Sequence, residues 1–131
     1  MKRDWPPGGG DARNALGGPL EACSFEPTTG FFRNGCCDTC AEDVGSHTVC
    51  VVMTDEFLEF ERERGNDLLT PRPEFDFPGL RAGNRWCLCA ARFLEAAQAG
   101  MAPRVVLTAT HERALDIVPL TALKAHAIDL N

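Results

Sequence analysis

Cysteine is the residue type of this chain with the most chemical potential: there are seven, and two short spacings group four of them. Cys37 and Cys40 form a C-x-x-C pair, and Cys87 and Cys89 form a C-x-C pair. Four thiolates can bind zinc tetrahedrally, with each sulfur about 2.3 Å from the metal, and on a strand Cys87 and Cys89 would share one face. A zinc ribbon usually has two C-x-x-C pairs, however. The single pair favours the alternative that Cys87 and Cys89 line the core face of a sheet.

The C-x-x-C spacing is also that of dithiol redox proteins. Redox activity requires the first thiol at a helix N-terminus, where the helix dipole lowers its pKa. Residues 41–45 read Ala-Glu-Asp-Val-Gly, a poor helix former whose acidic side chains would raise a thiol pKa. The sequence therefore argues against a dithiol oxidoreductase. Cys36 and Cys37 are adjacent and would point in opposite directions along an extended chain, which predicts one buried and one exposed thiol.

His47 is the residue that could turn a cysteine into a nucleophile. It lies just before a predicted strand and could act as the base of a Cys–His pair, with Cys36 or Cys37 supplying the sulfur. The alternative, which the sequence favours, is a structural histidine held by hydrogen bonds. His111-Glu112 begins like the zinc-protease motif H-E-x-x-H, but position 115 is leucine, which excludes that class.

Composition and charge narrow the classes of function further. The chain has 131 residues, of which 44% are hydrophobic and 24% charged, as in one globular domain. The net charge of −6 argues against nucleic acid or an anionic membrane surface as a partner. The N-terminus lacks the apolar core of a secretory signal, so we expect a cytoplasmic protein. In that compartment an odd number of cysteines predicts reduced thiols rather than a disulfide framework.

The pattern along the chain predicts a loop-rich first third followed by alternating strands and helices. Residues 1–13 are expected to be a flexible tail, and residues 14–131 a single two-layer α+β domain in which helices cover a small mixed β-sheet. Thr54 or Asp55 caps the first helix, Gly65-Asn66 ends it, and Asn34-Gly35 indicates a small hairpin. The predicted strands are 48–53 (buried on both faces), 85–89, 105–107 and 116–118, and the later helical segments are 90–99, 111–115 and 119–126.

Residues 66–84 are too rich in proline and glycine for a regular element, and a loop of this length is often functional. Its apolar residues should hold it in an ordered conformation: Leu68, Leu69, Phe75, Phe77 and Leu80. Charged side chains beside aromatic ones are typical of a ligand cleft, and the candidate cleft residues are Asp67, Arg72, Arg85 and Trp86. The alternative is an ordinary surface loop with solvated charges.

Long and unusual strings of residues resemble the bacterial family catalogued as domain of unknown function 2237. The resemblance runs from about Asn14 to the C-terminus and rests on Leu16-Gly17-Gly18-Pro19-Leu20, Gly35-Cys36-Cys37, Glu42-Asp43-Val44-Gly45-Ser46-His47-Thr48-Val49-Cys50, Thr70-Pro71-Arg72-Pro73, Phe77-Pro78-Gly79-Leu80 and Arg85-Trp86-Cys87-Leu88-Cys89. It implies a compact two-layer α+β domain and no known activity. It also implies glycine at position 40, so that the thiols supported by the family motifs are Cys36, Cys37, Cys87 and Cys89.

Together these observations favour a small cytosolic binding or accessory protein without a cofactor. Its site would lie around Cys36, Cys37, His47 and the 66–84 loop, and its partner would be a small molecule or a protein. One alternative is a cysteine-dependent enzyme in which His47 activates Cys36 or Cys37. Another is a structural module that binds zinc through Cys36, Cys37, Cys87 and Cys89.

Overall fold

A computed structural model describes residues 12–130, so the predicted tail at 1–13 lies almost wholly outside the described residues. The regular structure of this part of the chain comprises the strands β1 (His47–Val52), β2 (Arg85–Cys89) and β3 (Arg104–Val105) and the helices α1 (Asp55–Glu63), α2 (Ala90–Gln98) and α3 (Leu120–Ala125). Short 3₁₀ helices occupy Pro73–Phe75, Leu107–Ala109 and Glu112–Asp116. Between residues 12 and 130, no helix is long and apolar enough to cross a membrane.

The strands form one sheet in the order β2-β1-β3, which confirms the predicted α+β fold class. Both ladders are antiparallel, whereas the sequence analysis expected a mixed sheet. A strand that is followed by a helix often returns to make a parallel pair. Here the loop after α1 leads the chain back to the end of β1, where Met53 exchanges hydrogen bonds with Gly83 and Asn84. β2 therefore starts beside the end of β1 and must run in the opposite direction.

Helix α1 begins and ends where local sequence chemistry predicts. Thr54 is its N-cap, and the threonine hydroxyl accepts a hydrogen bond from the Phe57 amide at 3.1 Å. Gly65 follows the helix with a φ of 88°, a left-handed conformation that costs glycine little. Phe57 and Leu58 are buried in the main hydrophobic core, as the helical spacing of apolar residues requires.

Strand β1 is buried on both of its faces, as its continuous apolar sequence predicts. On one face Val49 and Val51 belong to the main core, together with Phe57 of α1 and Phe93 of α2. The opposite face of the sheet lies under the loop-rich first third of the chain. It carries a second cluster that contains four packed cysteines, here called the sulfur core: Cys23, Cys37, Cys50 and Cys87.

Two disulfides connect the members of the sulfur core, Cys23–Cys50 and Cys37–Cys87. The expectation of reduced thiols is therefore wrong for these four, while Cys36, Cys40 and Cys89 are free. A total of seven cysteines allows two disulfide-bonded pairs and three free thiols. Cys50 and Cys87 are partners in the β1–β2 ladder, and each is bonded to a cysteine of the segment 12–40, which contains neither helix nor strand. The disulfides thus attach this irregular segment to the sheet.

Two predicted elements do not form. Residues 116–118 are not a strand, because the Val118 amide donates to the Ala114 carbonyl at 2.8 Å and so continues a helical turn. The predicted hairpin at Asn34-Gly35 is a turn without flanking strands. Its Gly35 carbonyl accepts hydrogen bonds from the amides of Cys23 and Ser24, so the chain pairs with a more distant segment instead of with its own continuation.

The long loop at 66–84 is ordered, as predicted, by its apolar residues. Leu80 is buried, and Leu68, Leu69 and Phe77 pack against the main core. Phe75 does not contribute, since it is 65% exposed.

Removal of one disulfide should weaken the attachment of the segment 12–40. For Cys23→Ala/Cys50→Ala we expect the free energy of unfolding to fall by about 3–4 kcal/mol, because a loop with a sequence separation of 27 is no longer closed in the unfolded chain. Urea denaturation without reductant measures this. Cys40→Ala removes a free thiol and is the control, with an expected change below about 1 kcal/mol. Equal losses in the two variants would contradict the role given to the cross-link.

Candidate functional site

An aspartate–histidine pair lies at the start of β1. The Nδ1 atom of His47 is 2.7 Å from Oδ1 of Asp43. The Asp43 side chain is fully buried, while 42% of the His47 side chain is exposed. A carboxylate bonded to Nδ1 fixes the orientation of the ring and leaves Nε2 as the nitrogen that can exchange a proton with another group. The pair therefore has the arrangement of a base held by an orienting group.

Asp43 is itself held by several donors. Its Oδ2 atom accepts hydrogen bonds from the His47 backbone amide at 2.9 Å and from the Thr39 hydroxyl at 2.8 Å. Burial disfavours the charged form of this carboxyl, but the hydrogen bonds from His47 and Thr39 outweigh burial and lower the pKa of Asp43. Asp43 is therefore a carboxylate at neutral pH.

A bulge in β1 decides which way His47 faces. Side chains alternate along a strand, so an unbroken ladder would place His47 with Val49 on the face of the main core. The β1–β2 register shifts between these two residues, and His47 becomes the cross-strand partner of Cys89. Opposite residues of an antiparallel pair have Cβ atoms about 5 Å apart. The bulge thus places the backbone of His47 directly opposite that of Cys89, at the end of the β1–β2 ladder.

Cys89 is both the last residue of β2 and the N-cap of α2, and it is a partly exposed free thiol. The first amides of any α-helix have no acceptor within the helix, and the helix dipole favours negative charge at that end. The Ala90 amide already donates to the Ser46 carbonyl at 3.0 Å, so an oxyanion formed beside Cys89 would be stabilised by the helix dipole and by the amides that follow Ala90. The imidazole of His47 is hydrogen-bonded to Asp43. Among the described residues 12–130, it has no hydrogen bond to the Cys89 sulfur. In unliganded enzymes the bond between nucleophile and base is often long.

Two further residues shape the surroundings of His47. The Phe31 ring lies over the imidazole, with ring centroids 6.5 Å apart and planes inclined by 27°. A Cβ atom at Gly45 would approach Cε1 of His47 to 3.0 Å, so glycine at this position leaves room for the ring. Phe31 belongs to the irregular segment 12–40, which therefore supplies one wall of the site.

The thiols that the sequence placed beside His47 have other roles. Cys37 is bonded to Cys87 and is not available as a nucleophile. Cys36 is free, but burial and, to a lesser degree, the charge of Asp38 raise the pKa of its thiol. The predicted zinc set is divided, since Cys37 and Cys87 lie in the sulfur core while Cys36 and Cys89 are outside it. Cys37 is also not paired with Cys40, so the C-x-x-C does not form a dithiol pair.

Of the predicted cleft residues, Asp67 and Arg72 make local contacts in the long loop, and Arg85 lies beside it. Asp67 accepts hydrogen bonds from the amides of its own turn. Arg72 pairs with Glu74 at 3.2 Å. Arg85 is exposed at the start of β2.

Trp86, the fourth predicted cleft residue, is buried beside a groove. The Arg33 guanidinium carbon lies 5.0 Å from the centre of the Trp86 ring, and Phe77 packs edge-on against that ring at 5.3 Å. The groove has a volume of about 660 Å³ and runs between the turn at Pro27 and the loop at 71–78. Its lining is mainly apolar, with Arg33 and Asp76 as its charged members.

Within residues 12–130, cysteines of the sulfur core lie close enough together to hold a metal ion. The Sγ atoms of Cys23, Cys37 and Cys87 all lie within 4.8 Å of one another, and Cys50 is bonded to Cys23. The sequence analysis included only two of these four in its candidate set. Cys23 and Cys50 were missed because each is isolated in the sequence and has no nearby cysteine at a ligand spacing.

The contact of Asp43 with His47 and the placement of Cys89 opposite His47 were also not predicted from the sequence. The sequence did contain a sign of the Asp43 contact, because a turn at Gly45-Ser46 can bring a carboxylate back to a histidine four residues later. Nothing in the sequence indicates that Cys89 pairs with His47, because that pairing depends on a strand register and a bulge.

Asp43→Asn should destabilise the protein at neutral pH and less so in acid. The folded protein holds the Asp43 pKa below its ordinary value of about 3.9. The carboxylate therefore adds stability that is complete well above pH 4 and is lost as the pH falls through the folded-state pKa. We expect a loss of about 2 kcal/mol at pH 7 that shrinks below pH 4, measured by urea denaturation across this range. Glu42→Gln, at the exposed neighbour, should change little. A deficit independent of pH would contradict this account.

Comparison with curated proteins finds no match. The model of a family described as "uncharacterized protein conserved in bacteria (DUF2237)" matches residues 13–127. That range includes every strand and helix given above and all seven cysteines, and it confirms the family resemblance of the sequence. The chain belongs to this family of uncharacterized bacterial proteins.

Proposed function

We propose that this protein is a cysteine-dependent enzyme of acyl transfer or hydrolysis, with Cys89 as nucleophile and His47 as general base. The observation that supports it most is the bulge in β1, which makes His47 the partner of Cys89 while Asp43 orients the ring. Nucleophilic catalysis requires a nucleophile, a base and a group that orients the base. The sequence analysis considered Cys36 or Cys37 for the first role, and the disulfide of Cys37 and the raised pKa of Cys36 favour Cys89 instead.

The proposed reaction begins with proton transfer from Sγ of Cys89 to Nε2 of His47 as the sulfur bonds to an acyl carbon. The carbonyl electron pair moves to its oxygen, and the resulting oxyanion lies near the amides that follow Ala90 in the first turn of α2. When the tetrahedral intermediate collapses, the bond to the leaving group breaks and the leaving group takes the proton from Nε2. Water deprotonated by His47 then attacks the acyl group and releases the Cys89 thiol. Asp43 acts as a positioning residue.

The exposure of the site suits a small substrate that approaches from solvent. His47 and Cys89 are both partly exposed, and Phe31 offers an apolar surface beside them. We further propose a cytoplasmic location and a small-molecule substrate. The net charge of −6 speaks against nucleic acid and against an anionic membrane surface.

The proposal predicts that Cys89 reacts faster than the other two free thiols. Iodoacetamide should label Cys89 at least about 10-fold faster than Cys36 in the folded protein, because thiolate is the reactive form and the pKa of Cys36 is raised. His47→Gln should slow the labelling of Cys89 by about 10-fold and leave that of Cys40 unchanged. Timed alkylation without reductant, followed by peptide mapping, measures all three rates.

An activated acetate ester then tests for acyl transfer itself. Incubation with p-nitrophenyl acetate should place one acetyl group on Cys89, detected by mass spectrometry, and Cys89→Ser should abolish it. Cys36→Ser and Cys40→Ser are matched controls that should keep it. Acetylation of Cys36 or Cys40 in place of Cys89, or an equal effect of His47→Gln on all three labelling rates, would disprove the assignment.

A second candidate function is ligand binding without a reaction, which is closer to the binding or accessory role expected from sequence. The observation in its favour is Arg33, whose guanidinium stacks on Trp86 beside the groove and is held by a hydrogen bond to the Gly30 carbonyl at 2.7 Å. A cation held beside aromatic rings suits a ligand with a carboxylate on an apolar or aromatic body.

The groove therefore predicts binding of an aromatic acid such as benzoate. Its titration should shift the NMR signal of the Trp86 indole in a saturable way, and Arg33→Gln should weaken binding by about 10-fold, since a charge-assisted hydrogen bond is lost. Arg81→Gln, at an exposed position of the long loop, is the control. A shift that does not saturate, or one unchanged by Arg33→Gln, would rule out this groove.

A further inference from the structure

We propose that the sulfur core, once reduced, is a zinc site, so that the same four cysteines hold either two disulfides or one zinc ion. The inference goes beyond the proposed enzyme, because none of the four takes part in that reaction. It also departs from the zinc set expected from sequence, since Cys36 and Cys89 have no place in it.

Three of the four sulfurs in the sulfur core lie close enough together to ligate one metal ion. Sulfur atoms that are each about 2.3 Å from a zinc ion lie about 3.8 Å from one another. The sulfurs of Cys23, Cys37 and Cys87 already lie within 4.8 Å of one another. Cys50 supplies the fourth sulfur, which its bond to Cys23 keeps in the same cluster. On reduction the bonded sulfurs must therefore move apart, and the Cys50 sulfur, which does not lie within 4.8 Å of all three others, must move toward them.

The backbone around the cluster holds the four cysteines in two facing pairs. Cys50 and Cys87 are cross-strand partners in the β1–β2 ladder, so their side chains share one face of the sheet. Their amides donate to the hydroxyls of Thr110 and Thr29 at 3.1 and 2.8 Å. On the other side the Cys23 amide donates to the Gly35 carbonyl at 2.7 Å. These hydrogen bonds do not involve the sulfurs, and they can persist when the disulfides open.

Burial makes this a closed site of the structural type. The four residues are between 0% and 4% exposed, and apolar side chains of Val106, Ala109 and Val52 surround them. In such surroundings four unpaired thiolates are unfavourable. A zinc ion cancels two of the four charges, and with four protein sulfurs it has no open position for substrate.

The conversion balances with a cellular dithiol as reductant. Two dithiols each reduce one disulfide, and each is itself oxidised to a disulfide, which leaves four protein thiols. Zinc then binds as four thiolates and releases four protons. Cytosolic thiol systems keep protein thiols reduced, so the zinc state is the one expected if the proposed cytoplasmic location is correct.

The test compares the oxidised and the reduced full chain. We expect native mass spectrometry to show one zinc per chain after reduction with a phosphine and addition of Zn²⁺, and none in the oxidised protein. Zinc at roughly 100-fold above its dissociation constant should raise the melting temperature of the reduced protein by about 10 °C. A reduced protein that binds no zinc, or one that stays unfolded when zinc is added, would overturn the proposal.

Two variants show which thiols bind the metal. The first is a triple variant that keeps the sulfur core, Cys36→Ser/Cys40→Ser/Cys89→Ser. It should still bind one zinc ion, and its Co²⁺ form should show the intense absorption of four thiolate ligands. Cys23→Ser/Cys50→Ser should lose this signal. Loss of zinc in the triple variant would show that the free thiols are the ligands, and would also overturn the proposal. Since the triple variant lacks Cys89, zinc binding and acyl transfer succeed or fail independently.

Discussion

The pairing of Cys50 with Cys87 across the β1–β2 ladder is the constraint on which the rest of the structure depends. Residues 12–40 contain neither helix nor strand, and their backbone hydrogen bonds form turns and loop contacts instead of a regular ladder. Each cysteine of the ladder pair is bonded to one cysteine of that segment. The outer face of the sheet is thereby covered without a helix, and the sheet is buried on both faces.

The candidate site lies at the edge of this covered face. The segment that the disulfides attach carries Phe31, which lies over His47, and Thr39, which donates to Asp43. The surroundings of the imidazole thus combine a wall from the irregular segment with a histidine from β1. Cys89 lies at the same end of the sheet, because β2 ends, and α2 begins, at the position opposite His47. The sulfur core and the site are linked through the same segment, although they share no residue.

Much of the fold follows from the sequence because its signals are local. The boundaries of β2 are as predicted, and so is the N-cap of α1. Both depend on interactions over a few residues: the side-chain pattern of the strand and the capping hydroxyl of Thr54. The strand expected at 116–118 and the hairpin at Asn34-Gly35 are wrong, because each relied on a short pattern that a competing hydrogen bond overrides. The antiparallel arrangement of all three strands was also not predicted. It depends on where the loop 66–84 returns the chain, and no local pattern encodes that.

The sequence by itself determined most of the helices and strands, the family, and the presence of cysteines and a histidine able to do chemistry. Only the tertiary structure decided which of them meet. Cys37 is closer in sequence to His47 than Cys89 is, yet it is bonded to Cys87 in the core. Cys89 is 42 positions from His47 and is its partner in the ladder. The reason is physical: a strand register, and a one-residue bulge that turns a side chain to the other face, are set by packing between distant segments.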